Sequence, residues 1–429
     1  MELLILTTVF IVGILLSLDI ALSMILASVV VLFYIDIVPI HLVVEKAMSQ
    51  ISLYPLLAIP GFIIAGELMN VTGLTRALGD LAGSLVGRWR GGMGLAAVLA
   101  CMFFGAMTGS GLAATVAIGS MMIPMLERHG YPRDFSAAIV ASGGSLGPII
   151  PPSIPMVIYA SIAPTVSIAG LFVGGIVPGV MLGIAFMIIV WIRSGSQVQA
   201  PSAEVTAEIA GGYKVWLRAL PALGVPAIIL YGTLGGRVTV TEAAVLAVAF
   251  VFIYGLVSRT MTFRALKDAA VNTAAITGLI GFVISAAGPF SFFLALYQAP
   301  QTIGSILLDI SQGDQTLLMV ILVLILFFLG CLVEATSLVI ILAPILAATA
   351  TIAGIDQLHM AIVAIMTLMI GLFTPPVGTN LFAVVGVSGE PIEKVSRQIL
   401  PFVFAAIVTA ALLALTPVIT TIVPLLLSR

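Results

Sequence analysis

Thr108 to Thr115 reads TGSGLAAT, and the reading of this stretch decides the fold. It lies halfway along an apolar run from about 92 to 126, with Gly109 and Gly111 flanking Ser110 where a membrane helix would have its middle. Lipid offers the backbone no hydrogen-bonding partner. A break at that depth survives only where protein buries it or it lines a water-filled cavity.

The composition supports the membrane setting. The 429 residues are 61% hydrophobic and 8% charged, and a mean hydropathy of +1.28 belongs to an integral membrane protein, not a soluble domain. With 16 basic and 18 acidic residues, no global positive field exists for nucleic acid. The opening MELLILTTVFIVGILLSL has no basic residue before its apolar core, so it reads as a retained helix and not a cleaved leader. Cys101 and Cys331, the two cysteines, lie in apolar segments and read as packing residues.

At about 20 apolar residues per crossing, ten spans are expected near 2–17, 20–36, 51–69, 136–163, 167–192, 215–233, 240–257, 273–297, 358–386 and 398–427. Two further stretches, about 92–126 and 315–351, are too long for one helix and are broken at mid-length by TGSG and VEATS. Arms of about 15 residues reach some 20–25 Å, short of a ~30 Å core. Each stretch is therefore read as a re-entrant hairpin.

Charge gives the hairpins opposite orientations. Arg88 and Arg90 precede the first and Arg128 and Arg133 follow it, so it opens to the cytoplasm; Asp309, Asp314 and Asp356 flank the second, which opens to the other side. Threading the ten spans around them puts both termini outside and leaves only Lys46, Arg237 and Arg429, of 16 basic residues, on the external face.

Opposed hairpins imply two inverted halves. An offset of 224 carries Ser110 onto Glu334 and GPIIPP, Gly147 to Pro152, onto GLFTPP, Gly371 to Pro376. The fold class read here is an all-α integral membrane protein of about ten spans and two opposed hairpins. Its expected segments are 1–91 and 215–314 as scaffold helices with an arm each, 92–192 and 315–429 as hairpin plus broken helix, and 193–214 as a cytoplasmic linker. Short amphipathic stretches near 72–90, with Trp89 as anchor, and 301–312 read as the surface-lying arms.

The break at TGSG then has a chemical reading. Free N–H groups at the start of a hairpin's second arm favour an anion, and terminal carbonyls of the first arm favour a cation. Two further helices are broken at GGSLGPIIPPSIP and GLFTPPVGTN, where proline cannot donate and glycine tolerates unusual dihedrals. Unwound carbonyls there, with the hydroxyls of Ser142, Ser145, Ser153, Thr374 and Thr379, make oxygen-only shells suited to a hard cation such as sodium. No histidine or cysteine cluster supports a transition metal. No GxxxxGK[ST] is present, so no nucleotide is expected as the driving cofactor.

Together, GSGLAATVAIGSMMIPML, GGSLGPIIPPSIPMVIYA, GCLVEATSLVIILAPIL and GLFTPPVGTNLF resemble the large membrane subunit (M) of the tripartite ATP-independent periplasmic (TRAP) transporters, across nearly the whole chain. The resemblance implies a sodium-driven elevator in the bacterial inner membrane, working with a small membrane subunit (Q) and a periplasmic substrate-binding protein (P). Its substrate would be an acidic solute, with sialic acid first and C4-dicarboxylates next. Carried over by position, Ser110, Ser153 and Glu334 are candidate substrate contacts, Glu334 standing where the family usually has aspartate. The candidate sodium ligands are Thr108, Gly109, Ser142, Gly144, Gly147, Thr336, Thr374, Gly378, Thr379 and Asn380.

Two other classes compete. A self-sufficient sodium/carboxylate symporter shares the inverted architecture and differs in needing no binding protein. GVSG, Gly386 to Gly389, matches a serine-hydrolase motif, but nothing in the sequence brings His41, His129 or His359 to Ser388.

Overall fold

The computed structural model describes residues 1–35, 39–197, 213–234 and 236–427; residues 198–212 of the expected linker lie outside these. Every regular element described is a helix, and eight are long and apolar enough to cross a membrane. Hairpin 1 is Gly92–Thr108 followed by Gly111–Arg128, and hairpin 2 is Gln315–Leu332 followed by Ala335–Ala353. Gly109 at the first tip has φ 61°, a left-handed turn that glycine makes without strain.

The arms correct one expectation. They hold 17 and 18 residues in hairpin 1 and 18 and 19 in hairpin 2, or about 26–29 Å. Length alone does not stop them short of the far face. Re-entrance rests instead on both tips lining one cavity, which tips at opposite membrane faces would not do.

Both broken helices are present, as Arg133–Gly144 with Ile154–Ile162 and Gln357–Gly371 with Thr379–Ser388. The Pro151–Pro152 and Pro375–Pro376 bonds are both cis. The 224-residue offset extends beyond these motifs: it relates Ile168–Gln197 to Ile392–Leu415, and the arm Leu74–Val86 to the arm Ala299–Ile310. In the first arm Leu74, Leu78, Leu81 and Ala82 are buried, a stripe at helical spacing that fastens it to the protein.

Two expected boundaries fail. The final span, 398–427, is two helices, Ile392–Leu415 and Pro417–Leu427, because Pro417 supplies no donor and pushes Thr416 out of helical geometry to φ −128°, ψ 76°. His41–Ile51 is a helix with no counterpart in the expected spans. Its Glu45, Lys46, Ser49 and Gln50 make it too polar for a membrane window. By the offset it matches the start of Phe263–Leu296, which runs unbroken for 34 residues. In the first half Ser52 and Leu53 interrupt that path before the turn Tyr54–Leu57 and the helix Ala58–Val71.

The helices pack as two groups. Those before residue 87 and those from 213 to 296 pack on one another, while the hairpins, the broken helices, Ile168–Gln197 and Ile392–Leu415 interleave across the two halves. Phe186 stacks edge-on against Phe373 and Phe402 at 5.7 Å each. At one end of this second group Arg193 donates to Gln398 Oε1 at 3.0 Å, and Gln398 Nε2 to Asp134 Oδ2 at 3.0 Å.

The charge argument predicts sidedness. Cysteines placed beside Arg90 and Arg133 should react with an impermeant maleimide from the cytoplasm, and ones beside Asp314 and Asp356 from the other face. A pair split across the membrane would remove that hairpin from the topology.

Candidate functional site

A cavity of about 300 Å³ lies between the two hairpin tips. Ser110 and Glu334 both line it, as do Thr108, Gly109, Thr336 and Thr379. Its lining includes three carboxylates, Asp19, Glu67 and Glu334, and no basic side chain.

Each tip residue caps the arm that follows it. Ser110 Oγ accepts from Ala113 N at 3.3 Å, the ordinary use of serine at a helix start. Glu334 does more: its carboxylate accepts from Thr336 N at 3.0 Å, Ser337 N at 2.8 Å and Ser337 Oγ at 3.1 Å. The anion site at the start of Ala335–Ala353 is thus filled by the protein's own carboxylate.

The third candidate substrate contact is elsewhere. Ser153 is fully buried, donates to Pro148 O at 2.5 Å and accepts from Met156 N at 3.3 Å, capping Ile154–Ile162. Its neighbours Pro148, Ile154 and Pro155 line the cavity, and Ser153 itself does not.

The candidate sodium ligands divide in the same way. Thr108 donates to Phe104 O at 3.2 Å. Ser142 is buried and donates to Ala138 O at 2.7 Å, and Thr374 donates to Ile370 O at 2.7 Å. Gly378 begins the helix Thr379–Ser388, where a Cβ would stand 2.6 Å from Leu372 O.

Asn380 leaves that helix for the other half. Its Nδ2 donates to Ala141 O at 3.4 Å, and its Oδ1 is buried without a hydrogen-bond partner. Thr115 Oγ1 is buried without a partner too, and the Thr115 hydroxyl and the Asn380 amide both border the Gly111–Gly144 contact. A Cβ on Gly144 would sit 2.0 Å from Thr115 Oγ1 and 3.0 Å from Gly111 O; one on Gly111 would sit 3.2 Å from both Asn380 Nδ2 and Gly144 O. One on Gly147 would be 3.0 Å from Ser110 O and 3.3 Å from Gly144 O. The Thr115 hydroxyl and the Asn380 amide therefore lie near the carbonyls of Ser110, Gly111 and Gly144 where the two halves meet. Buried polar atoms are nearly always hydrogen-bonded, and a missing partner needs an explanation.

Sequence reading missed Thr115, one turn beyond the first tip on the face of Gly111. It also missed Asp19, Glu67 and Asn70, which line the cavity from outside the hairpins. The signal for Glu67 was a carboxylate inside an apolar span, rare without function.

The hydrolase reading fails on geometry. Ser388 Oγ accepts from Glu390 N at 3.3 Å, and its carbonyl accepts from Arg133 Nε at 2.6 Å. His129 pairs with Met125 O. His359 is fully buried and bonds Thr420 Oγ1 and Ala414 O. Among the described residues no cluster of His, Cys, Asp and Glu is placed to hold a metal.

Comparison with known proteins agrees. The family model described as "Tripartite ATP-independent periplasmic transporter, DctM component" matches residues 7–419. An isethionate TRAP permease, DctMQ, of Oleidesulfovibrio alaskensis is 38% identical over 92% of this chain, which spans 62% of that relative's length. The C4-dicarboxylate large permease DctM of Pseudomonas aeruginosa is 36% identical over 86% of each chain. The sialic acid large permease SiaM of Vibrio cholerae is 31% identical over 94% of this chain and 93% of its own. Among solved structures, the Alcanivorax borkumensis YdaH transporter shares the fold with a TM-score of 0.64 at 16% identity, covering 86% of each chain. Neisseria gonorrhoeae MtrF does so with a TM-score of 0.64 at 13% identity, over 86% of this chain and 83% of its own.

Proposed function

This chain belongs to the DctM family of tripartite ATP-independent periplasmic transporters, a family of transport components and not enzymes, and on that footing we propose that it carries a small organic anion inward in symport with sodium. The observations supporting the sodium part are two orphaned oxygens, Thr115 Oγ1 and Asn380 Oδ1, on side chains that border the carbonyls of Ser110, Gly111 and Gly144. Sodium is a hard cation that takes oxygen ligands, and hydroxyl, amide and carbonyl oxygens suit it. A second ion would use the equivalent stretch of the other half, from Thr336, Thr374, Gly378 and Thr379.

The substrate would lie between the tips. Its acid group belongs at Ser110 and the free N–H groups of the turn that follows, since Glu334 already occupies the other helix start. The remaining face of Glu334 suits hydroxyl or amide donors on the far end of the substrate. The relatives carry isethionate, C4-dicarboxylates and sialic acid, and the acid group is what these share. Sialic acid, first from the sequence, is one of three to be tried.

The mechanism proposed is an elevator. The hairpins, broken helices and the long helices between them move as one body, 92–192 with 315–429, against the scaffold formed by 1–91 and 215–314. At the boundary Gly66 on the scaffold faces Thr108, where a Cβ would come 2.5 Å from the threonine methyl. The small membrane subunit and a periplasmic binding protein complete the system in the bacterial inner membrane, and the topology proposed has both termini periplasmic.

Purified chain in vesicles should be nearly inactive alone, and adding the small subunit, the binding protein and sodium should start uptake. Ser110→Ala should then weaken transport by about 0.5–3 kcal/mol, the range for a lost polar partner. Glu334→Ala should cost more, because Thr336 N and Ser337 N lose their acceptor. Full-rate uptake without the binding protein would favour the self-sufficient symporter.

A further inference from the structure

A second cavity opens beside the first. It shares Glu67, Asn70 and Ala113 with the tip cavity and runs along Val116, Ala117 and Ser120 of hairpin 1 to the start of the arm Leu74–Val86. Arg76 lines it and is the first basic side chain met on leaving the tips. Among the described residues Arg76 makes no hydrogen bond or ion pair; Asp80, one turn along, feels the fields of Arg76 and Arg218.

The 224-residue offset supplies the comparison that gives this cavity meaning. The equivalents of Asn70, Val116 and Ala117 are Leu294, Ile340 and Ile341, which are 4%, 0% and 9% exposed, whereas Val116 is 43% exposed. Arg76 is exposed, and its equivalent Pro300 is buried. The arms differ accordingly: Leu74–Val86 packs chiefly on the first arm of hairpin 1, and Ala299–Ile310 on the second arm of hairpin 2. One side of the tips opens into a second cavity, and the inverted equivalents of four of its lining residues are buried.

We propose that this second cavity is the cytoplasmic exit of the substrate path, and that Arg76 is a release-side subsite for an organic anion. A solute leaving a cavity walled by Asp19, Glu67 and Glu334 meets its first compensating charge there. A carboxylate or sulfonate accepts charge-assisted hydrogen bonds from a guanidinium. The position of Arg76 lets it hold the acid group while sodium departs. The inference rests on the transport reading, and it adds a residue that contacts substrate only in the state open to the cytoplasm.

The test uses the full chain with its partners in vesicles, since native Cys101 and Cys331 are buried. Ser120→Cys should react with an impermeant maleimide from the cytoplasmic face, and Ile341→Cys from neither. Isethionate, succinate or N-acetylneuraminate, whichever is taken up, should protect Ser120→Cys when supplied on the cytoplasmic side. Arg76→Gln should raise the half-protecting concentration about tenfold, the scale of one charge-assisted contact, and Arg76→Lys should restore most of it. Labelling of Ser120→Cys from the external face alone overturns the exit path. An unshifted protection curve in Arg76→Gln overturns the subsite. Uptake of none of the three anions overturns the substrate reading instead, and the sidedness of labelling still reports on the path.

Discussion

Uptake by the complete three-part system should fall to the level of empty vesicles when potassium replaces external sodium, and Asn380→Ala should raise the sodium concentration for half-maximal uptake by about tenfold or more. The physical basis is the junction of the two halves. Asn380 Oδ1 and Thr115 Oγ1 are buried with no partner, and a cation between them and the neighbouring carbonyls would satisfy both. Removing one ligand oxygen costs about 1.5–3 kcal/mol for a contact to a charged group, and each 1.4 kcal/mol is tenfold in affinity. Thr115→Val should act in the same direction because it keeps the shape and deletes the oxygen, while Thr115→Ser should keep most of the affinity. Sodium-dependent uptake rates and their half-saturation read all three. Full activity in potassium would end the coupling.

The second large effect is structural. Gly371→Ala should cost the protein much of its folded yield, because a Cβ there would lie 2.0 Å from Gly330 O and 2.1 Å from Gly330 C. Those are backbone atoms of the hairpin arm Gln315–Leu332, and backbone does not swing aside as a side chain does. Overpacking costs about 1–3 kcal/mol where side chains relax and more where they do not. Gly386→Ala is the control: nothing lies within 4 Å of that position, and alanine favours a helix interior over glycine by up to about 1 kcal/mol. Thermal unfolding in detergent compares them. Equal midpoints for wild type and Gly371→Ala would mean that the two backbones are not in contact.

The hairpins, the broken helices and their inverted relation were legible in the sequence because each leaves a mark that lipid does not tolerate by accident. TGSG, VEATS and the two Pro–Pro stretches interrupt apolar runs, and sparse charges set the expectation for which side each faces. Ser110 and Glu334 followed from the offset. The helix His41–Ile51 was not legible, since its polar residues hide it from an apolar window, and only its counterpart at the start of Phe263–Leu296 explains it. Thr115 escaped because a lone threonine in a membrane helix normally bonds its own backbone; its orphaned state is a property of the packing around Gly144. Ser153 went the other way. The family resemblance pointed it to substrate, whereas its hydroxyl caps a helix start and lies outside the tip cavity.

The unbroken helix Phe263–Leu296 has a mechanical consequence. Its 34 residues make a rod about 50 Å long, against a hydrocarbon core of ~30 Å. Arg264, Lys267 and Asp268 at its beginning suit water and headgroups better than acyl chains, so the rod either leans steeply or projects well past the leaflet. The jointed path through Ser52 and Leu53 in the other half has no such stiffness. Leaning is the cheap response to a change in membrane thickness, at fractions of a kcal/mol per Å of mismatch. Acyl-chain length would thereby act as a load on the half that contains this helix, and in the proposed elevator the lipid composition of the host membrane would set the angle at which the fixed wall meets the moving one.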